Sequence, residues 1–208
     1  MAGQDHRIAR LFVCFLLATV WLTALLAGGP TAELDGALSA SMRPPAQGWI
    51  AQAAFAITWL GDWLVLVPLA VASAAYLVWQ QRCVEAFSLL ATVAAVRVLV
   101  ELQKAWLGRP RPNVDQWMVE YSASFPSAHA ANSLATFLAI AILLPKSRTA
   151  RRTLVGVALA CSALVGASRI VLGVHWPSDV IGGWAFALIA TSPLWSSLRS
   201  APKSVISA

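Results

Sequence analysis

The chain has 208 residues, of which 59% are hydrophobic and only 12% are charged, and its formal net charge at pH 7 is +6. This composition is far more apolar than that of an average soluble domain, so it excludes an ordinary soluble globular protein and predicts a chain largely covered by lipid. The length suits one domain with several membrane-spanning helices of roughly 20 residues each. The three cysteines are odd in number and lack metal-ligand spacing, which predicts neither a disulfide framework nor a zinc site.

Successive apolar runs predict an all-α fold, a six-helix transmembrane bundle that forms a single domain over residues 1–208. The first run follows basic residues, as a signal peptide does, but it is longer than a usual signal core, which favours a retained first helix. A polar, turn-rich segment follows, and then a short interfacial helix at 49–60. The predicted spans cover about residues 11–28, 63–79, 84–103, 128–144, 153–174 and 178–195.

Most basic residues fall on one side of this predicted topology. If the amino terminus is cytoplasmic, six spans place both termini and the majority of the cations inside, as the positive-inside rule requires. The net charge is then accounted for without a nucleic-acid partner. The outside cations concentrate at residues 104–111 and at Arg169, against the general bias, which indicates an anionic ligand on that face. Short loops and small size favour a bacterial inner membrane, with the site on the periplasmic or extracellular face.

The segment between the fifth and sixth predicted spans carries a cation, an imidazole and a carboxylate. Pro177 favours a helix start, which puts Asp179 in the first turn and His175 just outside it. A carboxylate bonded to one ring nitrogen fixes the tautomer and leaves the other nitrogen free to attack or to accept a proton. Arg169 supplies a planar guanidinium suited to phosphate. Taken alone, the segment equally fits a capped helix junction with a buried histidine.

Two further segments are predicted on the same outer face. Pro126 opens the fourth span, so free backbone N–H groups near Ser127 and Ala128 form an anion site, and His129 in the first turn can serve as an acid. The alternative is a capped helix with an interfacial histidine.

Lys104 to Arg111 forms the other segment, and its alternative is a basic loop against lipid headgroups, an interpretation that still suits Arg109. The predicted topology places all three segments on one face of the membrane. Two capped helices and a basic loop have no reason to share a face, so their common location favours a functional site.

In order and spacing, the three segments together resemble the signature of the type 2 phosphatidic acid phosphatase (PAP2) family: Lys104-x6-Arg111-Pro112, Pro126-Ser127-Ala128-His129 and Ser168-Arg169-x5-His175-x3-Asp179. The combined pattern is highly specific, whereas any one part is weak. Alanine stands at 128 where the family usually has glycine. A methyl group still allows the backbone N–H to donate, so we expect activity to be retained.

The resemblance implies a nucleophilic His175 that forms a phosphohistidine, an Asp179 that orients it, and a His129 that protonates the leaving oxygen. It implies no cofactor, and with only Asp115 and Glu120 available on that face we expect no metal requirement. The implied partners are the bilayer and a lipid phosphate or diphosphate, such as phosphatidic acid, phosphatidylglycerol phosphate or undecaprenyl diphosphate. The phosphoryl oxygens would be held by Lys104, Arg111, Ser127, the Ala128 N–H and Arg169.

Three alternatives stay open at this point. The phosphoryl group can pass to a lipid or sugar hydroxyl instead of water. A vanadate-dependent haloperoxidase has a similar anion pocket, but those proteins are soluble and the apolar spans argue against it. A transporter or lipid-phosphate binder would make His175 dispensable and would need polar residues along a midplane pathway. Few exist beyond Arg97 and Glu101, which we expect to pair on one helical face.

Overall fold

The structure is a computed structural model that describes residues 2–44 and 48–198. The described residues contain helices and no strand, which confirms the all-α class. The carboxyl-terminal tail, predicted to be cytoplasmic, lies outside the described residues. Two short 3₁₀ segments, Trp59–Gly61 and Ser192–Leu198, accompany eight α-helices: α1 Ala2–Ala27, α2 Glu33–Met42, α3 Trp49–Thr58, α4 Trp63–Trp79, α5 Cys83–Leu107, α6 Ala128–Leu143, α7 Arg148–Val171 and α8 Pro177–Thr191.

The helix ends follow local capping chemistry. Asp62 caps α4 by accepting a hydrogen bond from the Leu64 N–H at 2.8 Å, and α8 begins at Pro177 after an extended Trp176. At the end of α5, Gly108 takes a left-handed conformation with φ of +60° and donates to the Lys104 carbonyl at 3.1 Å. A side chain is disfavoured in that conformation, which explains the glycine. These rules act over a few residues, so the predicted boundaries lie close to the observed ones.

The helix α2 was not predicted. The segment around it is rich in proline and glycine, a composition that predicts a polar connection. The available signal was the pair of acidic residues, Glu33 and Asp35, in what is the first turn of α2. Carboxylates are favoured there by the helix dipole.

The helix α6 lies at the centre of the molecule. Eleven of its sixteen residues are buried, and it packs against α5, α7 and α8. Small side chains such as Ala131, Ala135 and Ala139 allow the neighbouring helices to approach closely. Because α5 to α8 alternate in direction, the end of α5, the start of α6, the end of α7 and the start of α8 meet at one end of the bundle. The three predicted segments are therefore brought together.

The lengths of the helices identify an integral membrane protein with three or four candidate spans among the described residues. Arg7–Ala27, α5 and α7 are each long and apolar enough to cross a bilayer, and α3 with α4 forms a fourth candidate, bent by 42°. By contrast, α6 has 16 residues and is about 24 Å long, less than the roughly 30 Å of a hydrocarbon core. The predicted number of six spans is therefore not confirmed.

Candidate active site

His175 and Asp179 lie side by side at the start of α8. Asp179 Oδ2 accepts a hydrogen bond from the Trp176 N–H at 2.9 Å, the reach-back contact of a capping box, and lies 3.3 Å from His175 Nδ1. The side chains of both residues are essentially inaccessible to solvent. The carboxylate thus serves two purposes: it closes the first turn of α8 and it faces the imidazole.

The Asp179 carboxylate is surrounded by donors. Ser124 Oγ donates to Oδ2, and Arg109 Nη1 donates to Oδ1 at 2.9 Å. With an ionised acceptor at Oδ2, His175 Nδ1 carries the proton, a tautomer assigned from these contacts. His175 Nε2 then accepts from Arg111 Nη1 at 3.3 Å.

Electrostatics keep this imidazole neutral. Burial lowers the pKa of His175 well below its ordinary value, and the positive charges of Arg111, Arg169 and Lys104 lower it further. A neutral imidazole with a fixed Nδ1–H is a nucleophile at neutral pH.

A cavity of about 260 Å³ opens beside His175. Of the eight predicted site residues, five line it: Lys104, Arg111, Ala128, His129 and His175. The other three, Ser127, Arg169 and Asp179, are completely buried and lie outside the lining.

The loop backbone holds two of the lining cations close together. Lys104 Nζ donates to the Ala123 carbonyl at 2.5 Å, and Arg111 Nε donates to the Ser122 carbonyl at 2.8 Å. Arg111 Nη1 also donates to the Val174 carbonyl at 2.6 Å. Arg111 is therefore fixed from both the loop and the residue preceding His175.

Glu120 links the buried Arg169 to this cavity. Its carboxylate pairs with Arg169 Nη2, and its other oxygen lies 3.7 Å from Arg111 Nη2. Arg169 also donates to Thr58 Oγ1 at 2.8 Å. A carboxylate thus occupies the space between two arginines predicted to hold phosphate. The sequence around Glu120 does not indicate this contact, because a single carboxylate in a polar loop has no local pattern that predicts its partner.

His129 lies in the first turn of α6, against the corner between α3 and α4. A Cβ at Gly61 would come within 2.6 Å of Val165 Cγ1 and 3.0 Å of His129 Cδ2. The corner can therefore pack this closely against His129 only with a glycine at position 61. Ser127 is differently placed from what was expected. Its N–H donates to the Asp179 carbonyl at 3.0 Å, and its hydroxyl accepts from the Ala130 N–H at 3.5 Å. The predicted free donor at Ser127 is therefore already used to join α6 to α8.

Two other charged residues depart from expectation. Arg109, interpreted as a headgroup contact, is buried beneath Asp179, because its guanidinium has a carboxylate and main-chain carbonyls to satisfy it there. Arg97 lies over the Trp63 ring, with 5.8 Å from Cζ to the ring centroid. The predicted ion pair between Arg97 and Glu101 is not among the contacts of the described residues, although both line the cavity.

The fold and the site together define a helical membrane protein in which a neutral, carboxylate-oriented histidine faces a cavity lined by cations, an arrangement suited to phosphoryl transfer. The sequence model of the PAP2 superfamily matches residues 85–201, more than half of the chain. The chain belongs to the PAP2 superfamily, and the resemblance inferred from the three segments is confirmed.

Individual relatives are lipid phosphatases by name. The chain is 30% identical over 188 residues to phosphatidylglycerophosphatase B of Bacillus subtilis (strain 168), covering 88% of this chain and 91% of that protein. It is 36% identical over 108 residues to the lipid A 1-phosphatase of Rhizobium etli, covering 47% and 44% of the two chains.

Solved structures agree with these relatives. The crystal structure of the transmembrane PAP2-type phosphatidylglycerolphosphate phosphatase from Bacillus subtilis superposes with a TM-score of 0.82 at 28% identity, covering 89% of this chain and 95% of that one. Aquifex aeolicus LpxE superposes with a TM-score of 0.60 at 24% identity, covering 82% and 98%, which is a likeness of fold.

Proposed function

We propose that this chain removes the phosphoryl group from a membrane lipid phosphate by way of a phosphohistidine at His175, without a metal ion. The observation that carries the proposal is the position of His175 Nε2. This atom lies 3.3 Å from Arg111 Nη1, and His175 lines a cavity that Lys104 and His129 also line. A nucleophile, cations and a second imidazole are therefore available to a single phosphoryl group.

The chemistry follows from this arrangement. A phosphoryl oxygen first takes the hydrogen bond that Arg111 Nη1 directs at His175 Nε2. His175 Nε2 then attacks phosphorus, and the bond from phosphorus to the lipid oxygen breaks. His129, which takes up a proton when the phosphate anion binds, gives that proton to the leaving oxygen. A water molecule, deprotonated by His129, then attacks the phosphohistidine and releases inorganic phosphate. Charge on the phosphoryl oxygens is stabilised by fixed cations, which is the main requirement of phosphoryl transfer. In binding, the phosphoryl group takes the place of the Glu120 carboxylate between Arg111 and Arg169.

Phosphatidylglycerol phosphate is the first substrate to test. The support is the relative named phosphatidylglycerophosphatase B, which aligns with 88% of this chain. Phosphatidic acid and polyprenyl diphosphates such as undecaprenyl diphosphate present the same terminal phosphoryl group to the same residues, so they belong in the comparison. In each case the lipid tail remains in the bilayer while the head enters the cavity.

The proposal includes six membrane crossings, by α1, α4, α5, α6, α7 and α8, with both termini cytoplasmic and the site at the outer face of a bacterial inner membrane. The short α6 is supported in this role by its burial, since its neighbours rather than lipid cover most of its surface. Trp63 and Trp106 lie at the site end of α4 and α5 and are exposed, as residues at a membrane interface often are.

The test is phosphate release from detergent-solubilised protein in excess EDTA, with the three lipid classes in parallel and His175→Ala beside the wild type. We expect release that survives EDTA and falls by more than about 10³-fold in the variant, as for loss of other covalent nucleophiles. Acid quenching destroys phosphohistidine, so a labelled enzyme that is stable in base and labile in acid identifies the intermediate.

Each other outcome contradicts a part of the proposal. Full activity in His175→Ala excludes the nucleophile, and activity abolished by EDTA excludes metal-free catalysis. Labelling of the enzyme without phosphate release, until a lipid or sugar alcohol is added, identifies a phosphotransferase. No labelling and no release from any lipid leaves a binding protein.

A further inference from the structure

We propose that Arg109, by direct contact, and Asp35, through Ser178 and Arg109, are positioning residues that fix Asp179 behind His175. The inference rests on the proposed function. It extends the catalytic apparatus to α1 and α2, which precede the matched residues 85–201.

Arg109 is the centre of the network. Its Nη1 lies 2.9 Å from both Asp179 Oδ1 and Ser178 Oγ. Its Nη2 donates to the carbonyl oxygens of Ala24 and Leu25 at 2.8 and 2.5 Å. These carbonyls belong to the last turn of α1, where helix carbonyl groups lack partners and the helix dipole favours a cation. One guanidinium group therefore joins the end of α1 to the carboxylate that faces His175.

Asp35 supports the same network from α2. Its Oδ1 accepts from the Ser178 N–H at 2.9 Å, its Oδ2 accepts from the Gly29 N–H at 2.5 Å, and the Ser178 hydroxyl also donates to Oδ2. Asp35 is only 5% exposed. The contact with the Ser178 N–H satisfies a free donor in the first turn of α8, the same turn that holds Asp179.

The Ser178 hydroxyl fixes which groups donate and which accept in this network. Because it donates to Asp35, its lone pairs are left to accept from Arg109 Nη1. The network therefore runs in one sense, from the Arg109 guanidinium through the Ser178 hydroxyl to the Asp35 carboxylate. An amide at position 35 can donate to the Ser178 oxygen in place of Arg109. That reversal would release the guanidinium from its present position.

The close approach of α1 to Ser178 depends on a glycine. A Cβ at Gly28 would lie 2.2 Å from Ser178 Oγ and 2.3 Å from Ser178 Cβ, so the end of α1 reaches α8 only without a side chain. The guanidinium also lies over the Phe125 ring, with 4.4 Å from Arg109 Cζ to the centroid, which limits its movement.

Stability alone does not require this arrangement. Replacement of buried ion pairs by apolar packing is often neutral or stabilising, so a chain of two carboxylates and a guanidinium is weak evidence for a stabilising role. The network ends at the catalytic pair, because the Arg109 guanidinium contacts Asp179 Oδ1, whereas His175 faces Asp179 Oδ2. A fixed Asp179 holds the imidazole in one orientation and tautomer, which sets the rate of attack rather than the affinity for phosphate.

The experiment compares Asp35→Asn with Glu33→Gln, which removes the same charge from an exposed position of α2. In Asp35→Asn we expect kcat to fall about tenfold, the effect of losing a hydrogen bond to a charged group. The KM and the inhibition constant of inorganic phosphate should stay within about twofold, since the phosphate cations are untouched. Glu33→Gln should match the wild type. A kcat in Asp35→Asn equal to that of the wild type, or a loss confined to KM, overturns the inference.

A second measurement is independent of turnover. The chain has three histidines, so the side-chain ¹⁵N resonances of His175 can be assigned by their loss in His175→Gln. We expect the Nδ1–H signal of His175 to shift in Asp35→Asn and in Arg109→Lys, and to stay unchanged in Glu33→Gln. Identical spectra in all four proteins overturn the inference even if the wild type hydrolyses no lipid. If Asp35→Asn does not fold, Arg109→Lys, which keeps the charge but loses the planar fork, decides alone.

Discussion

The two nitrogens of His175 face two unlike regions. On the Nδ1 side lies a closed region in which Asp179, Arg109, Ser124 and Asp35 are all buried and hydrogen-bonded to one another or to the main chain. On the Nε2 side lies the open cavity, where the partner of the two arginines is the Glu120 carboxylate, whose side chain is 23% exposed.

The difference separates two tasks. The closed region orients the nucleophile before any substrate arrives, and such preorganisation costs nothing at the moment of reaction. In the open region the cations would repel one another without an anion, and Glu120 supplies the anion while the site is free of substrate. We therefore expect changes on the Nδ1 side to appear in kcat and changes at Glu120 to appear in the affinity for phosphate.

The largest effect is expected at Asp179. Asp179→Asn turns an acceptor into a group that can donate to His175 Nδ1, which favours the tautomer with the proton on Nε2. The kcat should fall by on the order of 10³-fold or more, as in hydrolases whose orienting carboxylate is changed to an amide. The measurement is kcat for the best lipid substrate, beside the inhibition constant of inorganic phosphate.

That inhibition constant is the internal control, because it depends on the open region alone. If phosphate binding weakens in Asp179→Asn by as much as kcat falls, the two regions are not separate. The division of tasks described above would then be wrong.

Residues whose position depends on neighbours in the chain could be placed from the sequence. Pro177 starts α8, so Asp179 lies in the first turn of that helix and His175 lies just before it. In the same way, Pro126 places His129 at the start of α6. The roles of Asp35, Arg109 and Ser124 could not be predicted, because their contacts with the start of α8 join residues 143, 70 and 55 positions apart. Charge patterns and helix periodicity are local features of a sequence, so they do not predict contacts between residues so far apart in the chain.

Membrane topology shows the same limit. Apolar runs predicted where helices lie, since burial in lipid and helix formation both follow local composition. They did not predict that α6 would be a short helix enclosed by its neighbours, because enclosure depends on how the helices pack.

A smaller effect is expected on the open side. Glu120→Gln keeps the shape and a hydrogen-bonding oxygen for Arg169 but removes the charge that competes with phosphate. We expect KM and the inhibition constant of inorganic phosphate to fall about fivefold, which corresponds to about 1 kcal/mol, with kcat within twofold. Steady-state kinetics with phosphate as inhibitor measures both constants.

Glu101→Gln is the matched control, since Glu101 lines the same cavity without contacting Arg111 or Arg169 among the described residues. Glu101→Gln should change the inhibition constant of inorganic phosphate less than Glu120→Gln does. A weaker affinity for phosphate in Glu120→Gln would mean that Glu120 holds the arginines in place for the substrate, and the open region would then be as fixed as the closed one.

The smallest effect is a displacement of the pH profile, and it connects the two regions. Attack requires the neutral imidazole, and burial together with the charge of Arg111 lowers the pKa of His175 in the free enzyme. The acid limb of kcat/KM, which reports the free enzyme, should therefore lie below pH 6.5, the ordinary histidine value. Arg111→Gln removes a cation that disfavours the imidazolium, so this limb should move toward higher pH. The second ionisation of a phosphate monoester, near pH 6, is the same for both enzymes, which makes the difference between the two profiles the quantity to measure. An unchanged limb in Arg111→Gln would assign it to the substrate and not to His175.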